Sequence, residues 1–124
     1  MWRDGVIARL RTLEHPAWGP AHCRRVYALC EEIAEQEELE VDDDVLFAVA
    51  WFHDVGTFGE FACSADDPPT CAAEAAEQIL PETGFPREKV GLVAHIIAEH
   101  SFEGEGRDTP EGQLLRDADM LEFL

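Results

Sequence analysis

The sequence has very little positive charge. Of its 124 residues, nine are Lys or Arg and 27 are Asp or Glu, so the formal net charge is −18. Lys89 is the single lysine. A surface of this sign repels phosphate backbones and anionic lipids, which argues against nucleic-acid polymers and membranes as partners. A small anionic substrate remains compatible with this charge, because a bound cation reverses the local field.

The sequence also lacks long hydrophobic runs. No apolar stretch reaches the roughly 18 residues that a membrane helix needs. Residues 1–5 show no apolar signal segment behind a basic start. We therefore expect a cytoplasmic protein. Hydrophobic residues make up 46% and charged residues 29% of the chain, which is the range of globular proteins. The length predicts a single domain over residues 1–124.

Cysteine spacing excludes two common kinds of site. None of the four cysteines forms a Cys-x-x-Cys pair, so a zinc ribbon or a thioredoxin motif is not supported. The four are Cys23, Cys30, Cys63 and Cys71. Without a secretory signal, we expect reduced thiols that serve as small apolar residues.

Apolar periodicity predicts an all-α bundle of about five to six helices. The expected helices cover about 4–14 (within an N-terminal segment 1–15), 20–38, 42–54, 70–80, 87–100 and from 110 onwards. The third is apolar on every side, and its acidic cap and alanines favour a buried helix over a strand. Gly56 is expected to end it. The last helix is still running at Leu124, which we interpret as a C-terminal truncation.

Several polar residues fall on the apolar faces of these helices. His22 shares a face with Val26, and His100 follows the stripe of the fifth helix, whereas His95 lies off that stripe. His53 and Asp54 end the most apolar helix, where burial is costly unless each has a partner. In the last helix, Asp117 and Asp119 flank the stripe Leu114, Ala118 and Leu121, and periodicity does not choose between the two aspartates.

These side chains together predict a metal site. By itself the His53–Asp54 pair reads as an ordinary helix cap. Three helices that each direct a histidine inward, and a fourth that adds a carboxylate, make a mixed nitrogen–oxygen site. Such a site suits manganese, iron, nickel, cobalt or zinc.

The order of these motifs resembles the HD-domain superfamily of metal-dependent phosphohydrolases, in its bacterial small-hydrolase branch. Residues 22–27 (His-Cys-Arg-Arg-Val-Tyr) resemble the first-histidine helix of that family. Residues 50–56 (Ala-Trp-Phe-His-Asp-Val-Gly) resemble its His-Asp signature, and residues 117–121 (Asp-Ala-Asp-Met-Leu) resemble its closing element. Segments 84–90 and 100–102 also match in order, so the resemblance covers about residues 20–124.

The resemblance implies an HD-like helical bundle with a metal between the helices. It implies four ligands, which are His22, His53, Asp54 and Asp119. Asp119 is preferred to Asp117 because the family's ligand is the aspartate of the Ala-Asp-x-Leu step. As catalytic residues it implies Asp54, which would hold both the ion and the attacking water, Arg25, which would contact a substrate phosphate, and His100, which would line the pocket.

The function implied is metal-dependent hydrolysis of a nucleotide or another small phosphoester. We expect one divalent metal per chain, with magnesium also acceptable, because the segment from Thr70 to Ala73 has no histidine for a second metal. A non-catalytic metal- or ligand-binding module is the first alternative. A di-iron HD oxygenase is the second, and the missing histidine near Cys71 counts against it.

Overall fold

The computed structural model describes residues 2–10, 20–53, 68–99 and 109–122, and these residues form helices and short turns without a strand. The predicted all-α fold is therefore confirmed. The described helices are α1 (Trp2–Leu10), α2 (Pro20–Gln36), α3 (Asp43–Phe52), α4 (Pro68–Thr83), α5 (Val90–Glu99) and α6 (Pro110–Glu122), and a 3₁₀ turn at Arg87–Lys89 precedes α5.

Helix α3 is the centre of the bundle. All of its residues from Val45 to Phe52 are buried. It packs against each of the other five helices. A helix that is apolar on every side needs this position, because no face of it can be left in water without cost. The interpretation of this segment as a buried helix is therefore correct.

The two ends of α3 are defined by specific side chains. Asp42 is the N-cap, and its Oδ1 accepts hydrogen bonds from the backbone N–H groups of Asp44 at 3.0 Å and Val45 at 3.3 Å. These bonds satisfy two of the donors that a helix leaves open at its start. At the other end His53 is the C-cap, and its N–H donates to the carbonyl of Val49. Gly56, the predicted stop, lies outside the described residues.

Helices α2 and α6 converge on the C-terminal end of α3. The Cys23 thiol, in the first turn of α2, donates to the carbonyl of Trp51 at 3.6 Å. Further along α2 the Tyr27 hydroxyl donates to Asp43 at the start of α3, so α2 and α3 run in opposite directions. The last turn of α6 lies against His53. Helices α4 and α5 form the opposite side of the bundle and pack closely against each other.

Two helix ends differ from the sequence prediction. Helix α4 continues through Pro81 to Thr83, although we expected it to end at about residue 80. Pro81 removes one intrahelical N–H donor, and the helix ends soon after it, at Thr83. Gly84 follows with a φ of 94°, the left-handed conformation that commonly follows a helix. Helix α2 ends at Gln36 and not at Glu38. Glu38 adopts a φ of 55°, the left-handed conformation that usually follows a helix.

The start of α6 follows the prediction, but its buried face does not. The Thr109 hydroxyl accepts a hydrogen bond from the N–H of Gly112, and Pro110 fits the first helical position. The buried apolar residues of α6 are Leu114, Leu115 and Ala118, whereas Leu121 is 47% exposed. The expected stripe was therefore wrong at Leu121. No helix in the described part of the chain has the length and apolar character to cross a membrane.

The cysteines are of two kinds. Cys23 and Cys30 are buried free thiols, as we expected. Burial, with a smaller contribution from the negative charge of Asp119, raises the pKa of the Cys30 thiol to about 12. Cys71 is disulfide-bonded, so the expectation of reduced thiols was wrong at this position. Cys63 also lies outside the described residues.

Candidate metal centre

Three helices each place one polar side chain at the same point. His22 is in the first turn of α2, His53 ends α3, and Asp119 is in the last turn of α6. One ligand atom from each of the three lies within 4.8 Å of the other two. The two imidazole rings have centroids 5.6 Å apart and are tilted by 49°.

A single carboxylate oxygen joins the two histidines. Asp119 Oδ1 is 3.1 Å from His22 Nε2 and 3.3 Å from His53 Nε2. Both imidazoles are buried, with about 1% of each residue exposed. The side chain of Asp119 is 23% exposed. The histidine side of the cluster is therefore buried, and the aspartate side is partly exposed to solvent.

The protonation of His53 can be read from its neighbours. Its Nδ1 lies 2.8 Å from the carbonyl oxygen of Ala50. A carbonyl oxygen only accepts hydrogen bonds, so Nδ1 carries the proton and donates it. In a neutral ring the lone pair is then on Nε2, which points to Asp119 Oδ1. The backbone of α3 thus holds the ring in the tautomer that a metal ligand requires.

This arrangement fits a bound cation. A neutral His53 presents a lone pair to an anionic oxygen 3.3 Å away, and two acceptors at this distance repel each other. A proton or a cation between them removes that repulsion. Two imidazole nitrogens and a carboxylate oxygen form the kind of mixed donor set that first-row divalent metals accept.

The structure separates the two candidate aspartates of α6. Asp119 faces the histidines, whereas Asp117, two residues earlier, is exposed. Successive residues of a helix point about 100° apart, so only one of the pair can face the cluster. Of the other predicted site residues, Asp54 and His100 lie outside the described residues. Their assigned roles remain predictions. His95 is exposed on α5.

Arg25 lies beside this centre, with its guanidinium directed at another residue of α6. Its Nε donates a short, charge-assisted hydrogen bond to Glu122 Oε1. The same Oε1 is 3.7 Å from His22 Nδ1. The Glu122 side chain is 14% exposed and that of Arg25 is 51% exposed. Sequence reasoning missed Glu122, although its position three residues after Asp119 places both on one face of α6.

Comparisons with known proteins agree with this geometry. A family model described as "HD domain" matches residues 21–124. No curated protein matches the chain significantly. Among solved structures, the fold superposes with a TM-score of 0.71 and 27% identity on a crystal structure described as a predicted HD superfamily hydrolase from an uncultured Thermotogales bacterium. The match covers 98% of this chain and 66% of that one, so this chain spans just under two thirds of the relative's length.

Proposed function

From the premise that the chain belongs to the HD-domain family, we propose that it is a metal-dependent hydrolase that acts on a nucleotide or another small phosphoester. The observation that carries the proposal is the meeting of His22, His53 and Asp119 around one point. The relative described as an HD superfamily hydrolase supports the reaction class.

The proposed ligands divide into those that the structure describes and one that it does not. His22 and His53 offer imidazole nitrogens, and Asp119 offers a carboxylate oxygen. Asp54 is the fourth ligand by the family resemblance. A divalent cation held by these groups supplies Lewis acidity toward a phosphoryl oxygen and makes a water more acidic.

The protein's own groups do the positioning. The carbonyl of Ala50 fixes the His53 ring, and burial of both histidines keeps water from one side of the site. The partly exposed side of Asp119 is the open side, from which a substrate would approach. We retain His100 as a pocket residue and Arg25 as a phosphate contact, with Arg25 acting through its terminal nitrogens because Nε is turned toward Glu122.

The charge of the chain limits the substrate. A net charge of −18 disfavours binding to long polynucleotides. A small phosphoester buries little surface against this field, and a resident cation offsets the repulsion at the site itself. We therefore propose a single nucleotide or a molecule of similar size.

The test combines metal analysis with a hydrolysis assay. The full chain and the Asp119→Asn variant are stripped with chelator and reloaded with Mn²⁺. They are then assayed on p-nitrophenyl phosphate and a panel of nucleoside monophosphates. Asp117→Asn is the matched control, because it removes the same charge from the exposed face of the same helix. We expect one metal per chain and turnover in the wild type and Asp117→Asn, with both lost in Asp119→Asn.

Three other outcomes would overturn parts of the proposal. A wild-type chain that binds no metal after reloading rules out the metal centre. Metal binding without turnover on any phosphoester favours the non-catalytic binding module. Two irons per chain move the assignment to oxygenase chemistry.

A further inference from the structure

We propose that Glu122 is a positioning residue that orients His22 as a metal ligand and that Arg25 holds Glu122 in place. This inference rests on the metal site of the proposed function. The three residues form a chain of contacts, with Arg25 Nε on Glu122 Oε1 and Glu122 Oε1 at 3.7 Å from His22 Nδ1.

The two nitrogens of the His22 ring face different groups. Nε2 lies 3.1 Å from Asp119 Oδ1, at the centre of the cluster. Nδ1 is on the other side of the ring and faces Glu122. A His22 that binds a metal through Nε2 must carry its proton on Nδ1. A carboxylate facing Nδ1 favours that tautomer over the one with the proton on Nε2.

His22 and His53 are held by different means. The His53 ring donates to a carbonyl of its own helix, three residues earlier. His22 is the third residue of α2, and a side chain of α6, that of Glu122, faces its Nδ1. The present distance of 3.7 Å is longer than a normal N–H···O bond of about 2.9 Å, so the inference requires the two groups to move closer when a metal is bound.

The positive charge of Arg25 allows the Glu122 carboxylate to lie near the Asp119 carboxylate. Asp119 and Glu122 are three residues apart on α6, where like charges repel. The guanidinium of Arg25 offsets the charge of Glu122 and fixes the position of its Oε1. The carboxylate of Glu122 is thereby aimed at His22 and is kept from competing with Asp119 at the centre.

The experiment measures metal affinity in the full chain. Co²⁺ is bound to the wild type, Glu122→Ala, Glu122→Gln and the exposed control Asp117→Ala. Apparent affinity is read by competition with a chromogenic chelator and by the visible d–d absorption of the bound ion. Loss of a group that orients a metal ligand typically weakens binding by about 10- to 100-fold. We expect a loss in this range for Glu122→Ala, and a change of less than about twofold for Asp117→Ala because it lies off this contact.

The conservative variant separates positioning from a structural role. A glutamine at position 122 keeps an oxygen that can accept from His22 Nδ1, so we expect Glu122→Gln to restore most of the affinity and the wild-type absorption spectrum. Equal losses in Glu122→Ala and Glu122→Gln would overturn the inference, because charge alone would then account for both. Circular dichroism of the metal-free variants checks that they are folded.

The same data distinguish failure of the inference from failure of the proposed function. If the wild type binds Co²⁺ and Glu122→Ala binds it as tightly as Asp117→Ala, the inference is wrong and the metal centre stands. If the wild type binds neither Co²⁺ nor Mn²⁺, the proposed function itself is wrong.

Discussion

Charged side chains lie at both ends of helix α3, but the acidic groups at the two ends have different partners. At the N-terminal end, three consecutive aspartates meet two basic side chains from distant parts of the chain. Arg3 Nη2 lies 2.9 Å from Asp43 and 3.2 Å from Asp44. Lys89 Nζ lies 2.9 Å from Asp42 and 3.2 Å from Asp44. Each of the three aspartates at this end is therefore contacted by a basic side chain of the protein itself.

The C-terminal end brings together two imidazoles and a carboxylate. His22, His53 and Asp119 converge on one oxygen, and the guanidinium of Arg25 next to them is directed at Glu122. The comparison teaches that a chain with only nine basic residues commits two of them to one end of its central helix. At the other end, the two imidazoles and the Asp119 carboxylate form a donor set of the kind that suits a divalent cation.

The pKa shifts of Asp44 and Lys89 agree with the presence of ion pairs at the N-terminal end of α3. Burial by itself would raise the pKa of Asp44, but hydrogen bonds from Arg3 and Lys89 outweigh it and hold that pKa below its usual range. The bonds to Asp42 and Asp44 raise the pKa of Lys89. The guanidinium of Arg3 also lies 4.7 Å from the ring centroid of Phe47, which adds a cation–π contact.

The largest expected effect concerns the C-terminal end alone. Mn²⁺ at 100 times its dissociation constant should raise the free energy of unfolding of the wild type by about 2.7 kcal/mol. Asp119→Asn should show almost none of this gain, whereas Asp42→Ala should show all of it. Urea unfolding with and without Mn²⁺ measures the difference. A full gain in Asp119→Asn would show that the ion binds elsewhere.

The next effect concerns the cap of α3. Asp42→Ala removes the acceptor for two backbone N–H groups and should lower the free energy of unfolding of the metal-free protein by about 1 kcal/mol. Glu40→Ala, an exposed position two residues earlier, is the control and should change it little. Urea unfolding of the metal-free proteins gives both values. A change in Mn²⁺ affinity in Asp42→Ala would contradict the independence of the two ends.

A smaller effect is expected from the ion pairs at the N-terminal end. Arg3→Met keeps the apolar stem but removes the contacts to Asp43 and Asp44. Because the Arg3 side chain is 34% exposed, solvent screening limits the loss to about 0.5–1 kcal/mol. The loss should shrink in 1 M NaCl, where the Debye length is about 3 Å. Thermal unfolding at low and high salt measures it, with the exposed Arg87→Met as control. If the stability lost in Arg3→Met does not depend on salt, the loss comes from packing of the side chain and not from its charge.

The smallest expected effect is a pH dependence of the contribution that Asp44 makes to the free energy of unfolding. The pKa of Asp44 is lower in the folded state than its ordinary value of 3.8. Its ionised form therefore contributes stability above pH 3.8, and this contribution is lost as the pH falls through the lowered folded-state pKa. The difference in free energy of unfolding between the wild type and Asp44→Asn should be larger at pH 6 than at pH 3. An equal difference at the two pH values would assign the effect to hydrogen-bond geometry and not to charge.

Much of the fold could be predicted because helix formation and helix burial depend on local pattern. The apolar run of α3, its acidic cap and Pro110 at the start of α6 each mark a helix without knowledge of its neighbours. The same local reasoning failed at Pro81, because a proline within the last turn of a helix has the same sequence signature as one in a turn. It also failed at Cys71, because the local sequence pattern does not indicate its disulfide bond.

The candidate site was predictable only in part for a related reason. Periodicity turns His22 toward the core, and the family resemblance prefers Asp119 to Asp117. Neither argument indicates that Arg25 is directed at Glu122. That contact joins α2 to α6 across 97 residues of sequence, and nothing in either helix alone requires it.

The sequence by itself determined that the protein is an all-α HD-domain bundle, that α3 lies at its centre, and that His22 and His53 face inward. Only the tertiary structure decided that both histidines meet one oxygen of Asp119 and that Glu122 lies behind His22. The physical reason is that helical periodicity sets the direction of a side chain around its own helix axis. The distance between side chains on different helices depends on how those helices pack.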